Sequence, residues 1–275
     1  MSVSSLILDQ KKEWCNIRVN NLTVDGTMTH HGSGGSGFYV EVSTYQALKD
    51  ALTAGENRIH LTANMTADSN LEIPAGNFYF FVECVLSMGD FYIDMQSIAG
   101  TSIKWESISI DTGYGIIWEP TSPGSLFRND DQTQTIELLN IGIANNGTSA
   151  STPIQNVTVF RALNSVMSGN APSTDIILNF IDEECVLQNC ILISSEIAVK
   201  GKGNVLSKCW FEQCTVVFEQ NNYMKVEGCH FIDGLLTIAG TTTHGVVANC
   251  TSENSLGAFT YNDLGVTTLK SNCSF

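Results

Sequence analysis

The chain has 275 residues, with 13 Lys+Arg against 28 Asp+Glu for a net charge of -15; 15% of residues are charged and 43% hydrophobic. That length can bury a sizeable core as one large domain or two small ones, and the composition is too apolar for wholesale disorder. The acidic balance repels nucleic-acid phosphates and anionic lipid surfaces, and no stretch approaches about 18 uninterrupted apolar residues, so neither nucleic acid nor a membrane is an expected partner.

The amino terminus reaches Lys11 and Lys12 only after Leu6-Ile7-Leu8, the reverse of the basic-then-apolar order of a secretory signal. Six Asn-x-Ser/Thr sequons begin at Asn21, Asn64, Asn146, Asn156, Asn249 and Asn272; without a route to secretion they read as turn chemistry. A leader contains Ile17-Arg18-Val19-Asn20-Asn21-Leu22-Thr23-Val24-Asp25-Gly26, whose apolar-polar alternation predicts short strands that need a partner to bury their surface. Gly32-Ser33-Gly34-Gly35-Ser36-Gly37 is a flexible linker by composition. The expected boundaries are therefore residues 1–37 for leader and linker and residues 38–275 for the main domain.

Past the linker, Ser43-Thr44-Tyr45-Gln46 fits a capping box, and Tyr45, Leu48 and Leu52 share one helical face before Gly55 ends the helix. Ile59-His60-Leu61 and Leu71-Glu72-Ile73-Pro74-Ala75-Gly76 then alternate apolar and polar residues, as strands do. The aromatic run Phe78-Tyr79-Phe80-Phe81 reads as an early rung, and residues 102–110, 135–143, 157–160 and 176–180 as further strands.

The last 90 residues or so contain an internal repeat. Cys190, Cys209, Cys229, Cys250 and Cys273 recur at intervals of 19, 20, 21 and 23, each inside a similar apolar phrase such as Val186-Leu187-Gln188-Asn189-Cys190-Ile191-Leu192. A structural zinc site using Cys185 with Cys190 and Cys209 with Cys214 leaves the repeat itself unexplained, and the regular leucines of a leucine-rich repeat are missing. A parallel β-helix accommodates the elastic spacing, because loops absorb length differences while equivalent residues stack. The residue before each ladder cysteine is Asn189, Lys208, Gly228, Asn249 or Asn272, and four of these five are types that tolerate a left-handed backbone at a corner. The ladder thus reads as inward-facing free thiols, since stacked side chains roughly 4.8 Å apart and pointing in parallel do not suit a disulfide.

The order of helix, Ile59-His60-Leu61 and Leu71-Glu72-Ile73-Pro74-Ala75-Gly76 resembles the opening of right-handed parallel β-helix proteins of the pectate-lyase-like superfamily. The resemblance implies an all-β fold: a right-handed single-stranded parallel β-helix with a short N-terminal capping helix. The leader resembles those of virion-associated fibre and surface proteins, including proteins of large DNA viruses.

Carbohydrate cleavage is common in the family so resembled, and glycoside hydrolysis needs two carboxyls flanking one bond. Asn129-Asp130-Asp131 and Thr243-His244-Gly245 are partial echoes of the family's hydrolase residues, but they lie several coils and roughly 25 Å apart at one strand spacing per coil. The family's Arg-x-Lys segment is missing, and the other His-Gly, His31-Gly32, opens the linker. Family lyases hold Ca²⁺ on acidic residues of adjacent coils; the cluster Asp182-Glu183-Glu184 is followed one coil later by Lys200, Gly201, Lys202 and Gly203, which add no acid. His30-His31 could bind metal, but beside the Gly/Ser linker it is read as mobile rather than metal-binding. No catalytic, cofactor-binding or metal-ligating residue is assigned, and no cofactor is expected.

The expectation that follows is a non-catalytic, virion-associated structural or fibre-like protein, made in the host cytoplasm and anchored or oligomerised through its leader, with a trimer favoured and capsid proteins or surface glycans as further partners. The alternatives are a carbohydrate-active enzyme, either polysaccharide lyase or glycosidase, and a glycan-binding adhesin on the same scaffold.

Overall fold

The computed structural model describes residues 39–95, 101–128, 134–147, 151–155, 157–169, 176–181, 184–201, 203–221, 223–239, 242–254, 259–265 and 268–275. The leader and linker, residues 1–37, lie outside them. The described residues belong to the compact unit Phe38–Phe275. Among them the chain is a parallel β-solenoid in which every strand pairing is parallel.

An 11-stranded sheet forms the first face. It begins with Val40–Val42, Arg58–Leu61 and Asn77–Val82, and closes with Met224–Glu227, Gly245–Ala248 and Thr268–Ser271. Side chains alternate along each strand, so one in two points into the solenoid. The inward column Phe80, Trp105, Leu138, Ala162, Leu187, Leu206, Val226, Val247 runs through eight successive strands in register, and all eight are buried. Phe80 and Trp105 stack at 4.3 Å between ring centroids, and Phe211 on Phe231 at 5.0 Å. Large flat rings on neighbouring coils fill the centre at the spacing that strand pairing imposes.

The second and third faces start as separate short strands, for example Val85–Gly89 and Ile93–Asp94. From Ile191 they fuse into the long bent strands Ile191–Gly201, Trp210–Asn221 and His230–Ile238. The bend falls at Ser194, Gln213 and Asp233, whose φ values are 53°, 54° and 46°. A single left-handed residue thereby replaces a loop, which brings the repeat length down near 20 residues in this part of the chain.

The turn from first to second face is the most regular feature. Asn140, Asn164, Asn189, Lys208, Gly228, Asn249 and Asn272 all take φ between 49° and 63°. Lys208 adopts the same backbone as its neighbours although its type disfavours it. Asparagine amides link coil to coil: Asn164 Nδ2 donates to Asn140 Oδ1 (3.3 Å), Asn189 Nδ2 to Asn164 Oδ1 (3.2 Å) and Asn272 Nδ2 to Asn249 Oδ1 (2.7 Å). Sequon asparagines 249 and 272 thus serve the corner, and Asn64 Oδ1 accepts the Val85 N–H.

Helix α1, Tyr45–Thr53, packs Tyr45, Leu48, Ala51 and Leu52 onto the strands Val40–Val42, Arg58–Leu61 and Leu71–Glu72. Its N-cap is Thr44, whose Oγ1 accepts the Ala47 N–H at 3.2 Å. The expected capping box therefore does not form: Gln46 lies one residue too early to reach back, and its Nε2 donates instead to Asp50 Oδ1. Gly55 ends the helix with φ 83°, and the Gly55 and Glu56 N–H groups close back on Leu52 O and Ala51 O.

Two expected strands are shorter than read. Residues 135–143 break at Asn140 into Thr135–Leu139 and Gly142–Asn145, because the left-handed corner ends one face and starts the next. Residues 102–110 stop at Glu106, and Ile110–Thr112 forms a 3-10 turn in a short excursion.

Candidate functional site

The cysteine ladder stacks on consecutive coils immediately after the left-handed corner. Cys190, Cys209, Cys229 and Cys250 are buried free thiols, and Cys273, which follows the strand Thr268–Ser271 paired to Gly245–Ala248, is half-buried. Each thiol donates to the carbonyl two residues before it, as in Cys190 to Gln188 O (3.4 Å) and Cys250 to Ala248 O (3.2 Å). Several also reach a carbonyl of the preceding coil, as Cys190 does to Ala162 O. The outward residues that follow the column pair in order as Val85, Gly115, Gly142, Val166, Ile191, Trp210, His230 and Thr251. Cys84, Tyr114, Ile141 and Ser165 precede the first four of these, so the column holds four earlier members that cysteine spacing does not reveal. Ser165 Oγ donates to Leu163 O, repeating the thiol pattern with an oxygen.

Burial pushes the Cys84 thiol up to about 11 and that of Cys185 higher still. Cys190 and Cys229 are raised by hydrogen bonding to their column neighbours and by burial. Cys209 is lowered by hydrogen bonds from Cys190 and Cys229, and Cys250 by one from Cys229, so Cys84, Cys185, Cys190 and Cys229 are held neutral while neighbouring thiols donate to the other two along the buried column. The zinc pairs considered from sequence do not assemble: among the described residues no three His, Cys, Asp or Glu side chains converge as a metal set.

Of the acidic and histidine motifs, Asn129, Asp130, Asp131, Asp182, Glu183, Lys202 and the pair His30 and His31 lie outside the described residues. Glu184 faces outward, where Arg161 Nε meets its Oε1 at 2.8 Å and Arg161 Nη1 meets Glu137 Oε1 at 3.0 Å. Those two carboxylates raise the Arg161 pKa further through hydrogen bonds, Glu184 first and then Glu137. A carboxylate committed to a guanidinium is poorly placed to hold calcium or to donate a proton.

His244, singled out in sequence for its Thr-His-Gly segment, reaches a concave surface once its coil is built. It precedes Gly245, which pairs with Met224 on one side and Thr268 on the other. Tyr223, His244, Asp263 and Thr268, with Val246 and Leu269 beside them and Gly245 and Gly265 in the lining, surround a groove of about 660 Å³. Asp263 ends the third-face strand Phe259–Asp263, and the chain then turns through Gly265 toward the first face. Both carboxylate oxygens are anchored within that turn: Oδ1 accepts the Gly265 N–H at 2.9 Å and Oδ2 the Tyr261 hydroxyl at 3.1 Å. His244 is exposed, with Nδ1 3.3 Å from Thr243 Oγ1. Asp263, Tyr223 and Thr268 carry no local motif, and only stacking at one coil per 20 residues or so brings them to His244.

Two other outward clusters stand out. At the first coils, His60 Nε2 lies 2.9 Å from Glu83 Oε2 with Tyr39 and Phe81 against its ring, and the Tyr79 hydroxyl donates to Glu106. On the second face, Trp210 and His230 pack at 4.5 Å, with Trp210 41% exposed and His230 Nδ1 2.7 Å from Thr251 Oγ1. Comparison with protein-family models, with curated proteins and with solved structures finds no match to this chain.

Proposed function

We propose that this chain is a non-catalytic β-solenoid rod of the pectate-lyase-like kind that serves as a virion-associated structural or fibre-like element. In this reading residues 1–37 dock the rod to capsid proteins or join copies of the chain, most simply as a trimer. The observation that supports it is the use to which the repeat is put. Coil after coil, the recurring cysteines, asparagines and aromatic rings hydrogen-bond or stack on the coil before, which builds a stiff scaffold with shared load. Several charged groups of the outer first face are likewise paired with one another, as Arg161 is with Glu137 and Glu184 and Lys225 with Glu227.

Mass spectrometry of purified virus particles from cells that produce the chain tests the setting, with the protein expected among the structural components. Its absence from every particle preparation refutes the virion reading. Light scattering tests the assembly: the full chain is expected as an oligomer that weakens on deletion of residues 1–37, and a full-length monomer refutes it. Steady release of product from neutral or acidic polysaccharides, with or without Ca²⁺, refutes the non-catalytic reading.

A further inference from the structure

We infer that Cys250 and Cys273, the last two thiols of the column, form a two-coordinate site for one soft monovalent metal ion of the Cu(I) class, a function beyond that of a rod. The column stacks them in register on successive coils, roughly 4.8 Å apart as strand pairing imposes. Two bonds of about 2.3 Å, the usual length from a thiolate to a first-row metal, nearly span that gap when set in line. Cys273 is half-buried, so solvent reaches the pair there, whereas Cys190, Cys209 and Cys229 are closed off.

Ligand count selects the ion. Thiolates favour Cu(I), zinc and iron–sulfur centres, and the last two take four ligands. Among the described residues no three His, Cys, Asp or Glu side chains converge, which leaves the ion that is content with two sulfurs. Binding moves no electrons: each thiol gives its proton to solvent and forms one sulfur–metal bond, and the resulting S–Cu–S unit carries one negative charge. Its surroundings offset that charge. Cys229 hydrogen-bonds to the Cys250 sulfur from the preceding coil. Lys270 follows Val247 in the inward column, with Nζ 4.7 Å from the Tyr261 ring centroid and 4.6 Å from that of Phe275, and among the described residues no carboxylate pairs with it. The two rings pack at 5.0 Å beside the thiols: burial raises the Tyr261 pKa, and negative charge on Asp263, Cys273 and Cys250 raises it further. A largely apolar surround with one lysine strengthens the hold on a buried anionic unit.

Titration of the reduced full chain with Cu(I) under argon, against bicinchoninate as competitor, tests this by native mass spectrometry, proton release and X-ray absorption. One Cu(I) per chain is expected, with two sulfur neighbours and two protons released, in a chain whose circular dichroism is unchanged. Cys273→Ser should weaken binding about a hundredfold or more, because a hydroxyl is a poor ligand for a soft ion. Lys270→Met should weaken it about tenfold, as loss of a supporting group does. Cys84→Ser, at the other end of the column, and Cys15→Ser, in the leader, should bind as the parent does. The proposal is overturned if bicinchoninate strips the ion completely, if sulfur coordination exceeds two, if Cys273→Ser or Lys270→Met binds as the parent does, or if Cys84→Ser or Cys15→Ser loses the ion instead. Equally tight retention of Zn(II) overturns it as well. None of these outcomes bears on particle association or oligomeric state, so the rod reading stands or falls separately.

Discussion

Asn164 is the position where the corner's two contributions can be separated. Its φ of 49° places it in the left-handed region, and its amide joins both neighbours, donating to Asn140 Oδ1 at 3.3 Å and accepting from Asn189 Nδ2 at 3.2 Å. Asn164→Gly deletes both amide hydrogen bonds, each contributing about 0.5–1.5 kcal/mol net, but keeps a backbone at home in this region. The expected loss is about 1–3 kcal/mol. Asn164→Ala deletes the same bonds and adds roughly 1–2 kcal/mol for a left-handed residue bearing a Cβ, for a total of about 2–5 kcal/mol. A domain of this size shifts its Tm by about 2–4 °C per kcal/mol, so alanine should melt about 2–8 °C below glycine. Thermal melts and urea titrations of the two variants beside the parent measure the gap. Glycine melting at or below alanine would refute the left-handed corner, and two variants indistinguishable from the parent would refute the amide ladder.

Three further outcomes follow from the same packing. Cys229→Ser should cost under about 1.5 kcal/mol because Ser165 already fills an equivalent place, whereas Cys229→Leu should overpack the column at about 1–3 kcal/mol; urea titration ranks them, and leucine milder than serine contradicts a closed column. Cys84 keeps its proton in the folded state up to about 11, above the ordinary thiol value of 9.0. Above that ordinary value the unfolded chain binds fewer protons, so the contribution is present below it and is lost as pH rises toward about 11; Tm should fall across this window, and Cys84→Ala should flatten the fall. Gly234→Ala should cost more than about 3 kcal/mol, because φ is 153° and the new Cβ would lie 2.2 Å from the Cys214 carbonyl oxygen; a melt within 2 °C or so of the parent contradicts that close approach.

Much of the fold is legible in the sequence because a solenoid repeats one local decision. Cysteines at intervals of 19 to 23, each preceded by Asn, Gly or Lys, announce a corner and an inward column without knowledge of any distant residue. The same rule fails where the repeat changes its chemistry. Cys84, Tyr114, Ile141 and Ser165 occupy the column too, but four different residue types in one place leave no periodic mark, and the excursion through Ile110–Thr112 lengthens the spacing between Cys84 and Tyr114. Residues 135–143 read as one strand because Leu138 and Ile141 are both apolar and inward; only the φ of 57° at Asn140 divides them between two faces.

The candidate site is less legible, for a physical reason. Sequence by itself determines where a strand alternates, where a glycine must turn, and that thiols recurring once per coil point inward, because each depends on backbone preferences within a few residues. Which outward side chains become neighbours depends instead on register across coils. Tyr223, His244, Asp263 and Thr268 span 46 positions, yet Met224, Gly245 and Thr268 stand in line on adjacent strands and draw the others around one groove. Loop length decides that register: every coil absorbs its insertions at the corners while the parallel hydrogen bonds hold the strands in step. The solenoid is thus written locally, and its surface chemistry is assembled only by stacking.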